Sequence, residues 1–161
     1  MADTTDGNPD SVAKMSRWLA TKGVTSFCPT TMTLPEAFLE ECFGYVAETI
    51  GKEDGAYIHG INMEGPFISH AKKGAQAGEH IVAPDYEMLC RLNKICPVKL
   101  VDIAPEAEGA DEFIEKAKEL CTVSVAHTAA DYATGKAAFA KGAKHATHLY
   151  NAMNCLASRE A

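Results

Sequence analysis

Three residues far apart in the chain share one local setting. Glu64 in Asn62-Met63-Glu64-Gly65-Pro66-Phe67, His127 in Val125-Ala126-His127-Thr128, and His148 in His145-Ala146-Thr147-His148-Leu149-Tyr150-Asn151-Ala152-Met153 each close an apolar, strand-like run just before a turn. A carboxylate and two imidazoles at the carboxyl ends of successive strands suit a catalytic zinc, which takes three protein ligands and leaves a fourth position for water. Taken singly, a histidine at a strand end is more often just a hydrogen-bonded polar group. His145 lies three residues before His148, so strand alternation points it to the opposite face, in a structural role. The odd spacing from His59 to Glu64 gives His59 a packing or ligand-supporting role. His70 and His80 fall in a loop and read as solvated, as do Lys72 and Lys73.

Strand-like and helix-like segments alternate around these residues. Asn8 is placed to cap a helix with Pro9 at its first position, running to Gly23. A strand follows at Val24 to Cys28. Thr33-Leu34-Pro35-Glu36 reads as a capping box opening a helix to Gly51, with Phe38, Leu39, Cys42 and Val46 at helical spacing. Ala56 to Met63 is the next strand, and Glu64 to Ala83 a long loop. Pro84 starts a helix to about Ile95, followed by a strand at Val98 to Ile103, a helix at Asp111 to Leu120 and a strand at Thr122 to Ala126. Thr128 then caps a helix ending at Gly142, and Lys144 to His148 is the last strand. Five strands alternating with helices imply parallel pairing with right-handed crossovers. The expected fold is α/β, a partial (β/α)8 barrel in which the chemistry lies at the carboxyl ends of the strands.

Composition narrows the function classes. With 161 residues, 47% hydrophobic and 23% charged, the chain can bury one core, whereas a whole barrel of this kind takes about 250 residues. A formal net charge of −7 argues against nucleic acid or an anionic membrane as partner, since both call for a basic face. No apolar run approaches the ~20 residues of a membrane helix, and no basic segment with an apolar stretch opens the chain; the expected location is cytoplasmic. The six cysteines, Cys28, Cys42, Cys90, Cys96, Cys121 and Cys155, form no Cys-x-x-Cys pair and read as reduced core thiols.

Several motifs in one order carry a more specific resemblance. Glu64-Gly65-Pro66-Phe67, then Lys72-Lys73-Gly74-Ala75, the strand ending in His127, and Thr147-His148-Leu149-Tyr150-Asn151-Ala152-Met153 with Arg159-Glu160 beyond are similar to the N-acetylglucosamine-6-phosphate deacetylase family of the amidohydrolase superfamily. Asp3-Thr4-Thr5-Asp6-Gly7 resembles the stretch after that family's first barrel strand, and Gly23 to Thr31 its second. The resemblance implies an internal fragment covering strands two to six: one incomplete catalytic barrel domain over 1–161, without the family's N-terminal β domain, first strand or last two strands. It implies one divalent metal on Glu64, His127 and His148, zinc first, with iron, manganese or cobalt as alternatives. Substrate contacts are implied at Ala75, Asn151, Ala152 and Arg159. Many members have histidine where this chain has Gln76, whose amide can still donate to a substrate carbonyl but cannot titrate.

The reaction so implied is metal-assisted hydrolysis of the acetamide of N-acetylglucosamine 6-phosphate to glucosamine 6-phosphate and acetate. The general-base aspartate of the family lies outside this chain, so no catalytic residue is assigned within it. A homodimer is implied for the full-length protein and self-association for the fragment. Other readings stand beside this one. A dihydroorotase or nucleobase deaminase would share the metal frame but not Glu64-Gly65-Pro66 or Asn151-Ala152-Met153 with Arg159. A non-catalytic metal or sugar-phosphate binding fragment, or a bare folding fragment, would account for the lack of the aspartate.

Overall fold

The computed structural model describes residues 2–154. Five α-helices alternate with short parallel strands: α1 (Ser11–Ala20), α2 (Glu36–Thr49), α3 (Tyr86–Ile95), α4 (Ala110–Ala117) and α5 (Tyr132–Lys141), with β1 (Ser26–Phe27), β2 (Thr30–Thr31), β3 (Tyr57–Ile58), β4 (Ile61–Met63), β5 (Val98–Ile103), β6 (Thr122–Val125) and β7 (His145–Ala146). The main sheet has the order β2-β4-β5-β6-β7 and all its pairs are parallel. A second parallel pair, β1 with β3, lies earlier along the same two chain segments. This is the expected partial barrel, its strands in sequence order.

The sequence predicts five strands where seven occur among the described residues, because two are interrupted. Between β1 and β2, Pro29 brings no N–H to the ladder, although its carbonyl still accepts from Asn62 N–H at 3.0 Å. Between β3 and β4, Gly60 has φ +138 and lies so near the neighbouring chain that a Cβ there would sit 2.3 Å from the Pro97 carbonyl oxygen. The register of β4 on β5 shifts directly after it. A glycine forced by close backbone approach thus breaks the apolar run.

Three capping expectations are corrected. Asn8 is not the cap of α1: Asp10 is, without a side-chain bond, while the Asn8 side chain accepts from Asp10 N–H. The Thr33 capping box does not form, since α2 begins at Glu36 behind Pro35 and Thr33 is buried elsewhere. Thr128 does not cap α5; Asp131 does, accepting from Thr134 N–H at 2.8 Å. Asp85 caps α3 in the same manner through Met88 N–H.

Strand alternation sorts the side chains into two layers. Ile61, Met63, Val101, Ile103, Val123 and Val125 are buried and belong to one core with Leu39, Phe43 and Val46 of α2, Leu89 and Leu92 of α3, and Phe113 and Ile114 of α4. Each such buried side chain contributes about 1.5–3 kcal/mol. The other layer is polar: Asp102, Ser124 and His145 stand in register across β5, β6 and β7. There Thr147 Oγ1 donates to Asp102 Oδ1 at 2.7 Å, and Ser124 Oγ lies 2.8 Å from Thr147 Oγ1 and 2.9 Å from His145 Nδ1. His145, though exposed, is thus tied to this layer through Ser124. Asp102 Oδ2 is buried without a partner among the described residues, and burial pushes the Asp102 carboxyl up to about 6.

Candidate metal centre

Glu64 follows β4, His127 follows β6 and His148 follows β7, so the parallel sheet delivers all three at the same end. His127 Nε2 is 2.9 Å from Glu64 Oε1, the two Nε2 atoms are 3.0 Å apart, and His148 Nε2 is 3.7 Å from Glu64 Oε1. A tetrahedral ion with bonds of about 2.0–2.1 Å spaces its ligand atoms by roughly 3.3 Å. The observed triangle brackets that value.

Proton placement decides what the triangle can hold. His127 Nδ1 lies 2.8 Å from the Lys72 carbonyl and His148 Nδ1 3.0 Å from the Asn151 carbonyl. A carbonyl only accepts, so each Nδ1 carries the proton and each neutral ring turns a bare Nε2 toward the other. Two imidazole lone pairs and a carboxylate oxygen then converge with no donor among them, and a cation is what this set fits. In the metal-free chain a proton serves in part. The bond to Glu64 raises the His127 pKa against the opposing effect of burial, and the bond from His127 lowers that of Glu64.

The backbone is bent to make this geometry. His127 has φ +42 and His148 φ +32, a left-handed region that costs a non-glycine residue of order 1–3 kcal/mol. Surrounding bonds hold both turns. The His127 carbonyl accepts from Ser69 N–H at 2.9 Å, Thr128 N–H donates to the Ala152 carbonyl at 3.0 Å, and Asn151 N–H donates to the His148 carbonyl at 2.8 Å. Glu106, after β5, takes the Thr128 hydroxyl at 2.5 Å and the Ala129 N–H at 2.6 Å.

The long loop from Glu64 to Ala83 is not structureless. It holds 3-10 turns at His70–Lys72 and Gly78–His80. Lys72 and Lys73 are engaged rather than merely solvated: Lys72 Nζ donates to the Met153 carbonyl at 3.3 Å, and Lys73 Nζ to the Gln76 carbonyl at 3.2 Å. His70 is exposed and His80 half-buried, and His59 packs edge-on against Tyr57. Of the expected substrate contacts, Ala75 and Asn151 are exposed and Ala152 is half-buried in the turn beside His148. Gln76 is buried and bonded to Glu64 and Thr33. Arg159 and Cys155 lie outside the described residues. The other five cysteines are free thiols.

The chain is 35% identical to N-acetylglucosamine-6-phosphate deacetylase of Bos taurus over 88% of its own length and 36% of the relative's. It is 36% identical to that of Bacillus subtilis (strain 168) over 99% and 42%. The chain is homologous to the N-acetylglucosamine-6-phosphate deacetylases. No protein-family model matches it. Among solved structures, a Mycobacterium smegmatis deacetylase mutant in complex with N-acetyl-D-glucosamine-6-phosphate superposes with a TM-score of 0.88 at 27% identity, over 97% of this chain and 41% of that one. The chain spans about two-fifths of the length of the deacetylases that it matches.

Proposed function

We propose that these residues form the metal-holding side of a deacetylase that hydrolyses the acetamide of N-acetylglucosamine 6-phosphate, giving glucosamine 6-phosphate and acetate. The observation that carries the reading is the convergence of two bare Nε2 atoms and a carboxylate oxygen with no donor between them. Glu64, His127 and His148 would hold one divalent ion, and two imidazoles with one carboxylate suit zinc first, then iron, manganese or cobalt. Such an ion supplies Lewis acidity at the acyl oxygen and acidifies water. The chain's own residues keep the ligands oriented: Lys72 and Asn151 fix the ring tautomers through their carbonyls, and Glu106 secures the turn after His127.

The sugar phosphate is the substrate in this reading because a deacetylase superposing closely on the chain was solved with it. Ala75, the backbone at Asn151 and Ala152, and Arg159 are its proposed contacts. The base that takes the proton of the attacking water is assigned to none of the residues described above. A homodimer and a cytoplasmic location go with the reading; among the described residues no helix is long and apolar enough to cross a membrane.

Metal analysis after dialysis tests the centre. Wild-type chain should retain about one equivalent of zinc and His148→Ala far less; equal contents in the two would remove His148 from the ligand set. Acetate release from N-acetylglucosamine 6-phosphate, abolished in His148→Ala, tests the activity.

A further inference from the structure

We propose that Gln76 is a positioning residue that sets the orientation of the Glu64 carboxylate toward the ion; this rests on the metal-centre reading above. Gln76 is only 4% exposed, and both ends of its amide are committed. Its Oε1 accepts from Thr33 N–H at 2.8 Å, and its Nε2 donates to Glu64 Oε1 at 3.2 Å. The amide cannot turn over: a flip would face oxygen to carboxylate and NH2 to N–H, losing both bonds. Its backbone is held as well, with Gln76 N–H on the Lys73 carbonyl at 3.0 Å and Lys73 Nζ on the Gln76 carbonyl.

The donor meets the same oxygen, Oε1, that lies nearest His127 Nε2. It thereby selects which carboxylate oxygen faces the two imidazoles. Thr33, the other end of the brace, abuts the residue after the ligand: a Cβ on Gly65 would fall 2.1 Å from Thr33 Oγ1. The loop after β2 and the loop after β4 are thus locked at Glu64 from two sides. An amide in this role keeps its donor at every pH, whereas an imidazole can change its proton count and an ammonium would compete with the ion for the carboxylate.

Outer ligand-orienting partners are worth 10–100-fold in metal affinity, and that is the expected loss. Cobalt(II) is the probe, its dissociation constant measured by chelator competition and its visible bands recorded on wild type, Gln76→Met and Gln76→Glu. Methionine keeps the shape without donor or acceptor. Glutamate keeps an acceptor for Thr33 N–H and lacks the donor to Glu64, so it decides the matter should the methionine variant not fold. A rise in Kd of tenfold or more with altered bands supports the proposal. A Kd within threefold of wild type or below it, or a loss confined to the metal-free unfolding midpoint with unchanged bands, overturns it and leaves Gln76 a packing residue. Failure of wild type itself to bind cobalt, to the level of a His127→Ala control, would instead sink the metal centre.

Discussion

At the scale of single residues, the polar layer carries a charge that the fold does not fully compensate. Asp102 is wholly buried, Oδ1 takes the Thr147 hydroxyl, and Oδ2 has no partner among the described residues. Its carboxyl rises from 3.8 to about 6, chiefly through burial. The folded chain therefore holds a proton that the unfolded chain releases between about pH 4 and 6. Over that window the folded state binds more protons, so this residue's contribution to stability falls as pH rises, by about 3 kcal/mol in all. Asp102→Asn removes the titration. Denaturant unfolding of the metal-free variant and wild type should show the variant gaining relative stability from pH 4 to pH 7; a constant difference would mean that Asp102 titrates normally. The convergence of Glu64, His127 and His148 was legible because each ends an apolar run before a turn. Asp102 was legible only as a charge interrupting Val98-Lys99-Leu100-Val101-Asp102-Ile103, and nothing in the sequence marked Glu106 as the clamp on Thr128, because that contact joins two loops 22 residues apart.

At the scale of elements, the apolar periodicity located all five helices and the strands that lead to Glu64, His127 and His148, yet the ends were decided by tertiary contacts. Thr33 has the residue type of a cap, but its N–H is taken by Gln76 and its side chain is packed on Gly65. Gly65 itself has φ +87. Gly65→Ala should destabilise the chain by about 2–5 kcal/mol, the sum of left-handed strain and overpacking. Gly51, at φ +77 with nothing near a would-be Cβ, isolates the first contribution: Gly51→Ala should cost about 1 kcal/mol. Denaturant midpoints of both variants check the pair, and equal losses would show that the Thr33 contact yields freely. The broken strand at Gly60 was not legible, since the approach of Pro97 that demands glycine comes from a residue 37 positions later in the chain.

At the scale of the molecule, the described sheet has two ends, Thr30–Thr31 and His145–Ala146. Both edges are two residues long, which limits but does not abolish pairing with another chain, and the inner layer between them is half-exposed at Asn62, Leu100 and Thr122. The 161-residue polypeptide is expected to self-associate as concentration rises; light scattering that gives the mass of one chain throughout would contradict this. The parallel order of the sheet was legible from the alternation of elements, while the short edges were not, because the length of each is set by its pairing with the neighbouring strand. The three converging side chains are also distant along the chain, 63 residues from Glu64 to His127 and 21 more to His148. Contacts of such separation close large loops and form late in folding. An ion gripped there has nothing to hold until the strands have assembled, so it would leave the folding rate nearly unchanged and act on the reverse process. Its benefit would be a longer lifetime of the native state, a clock rather than a scaffold.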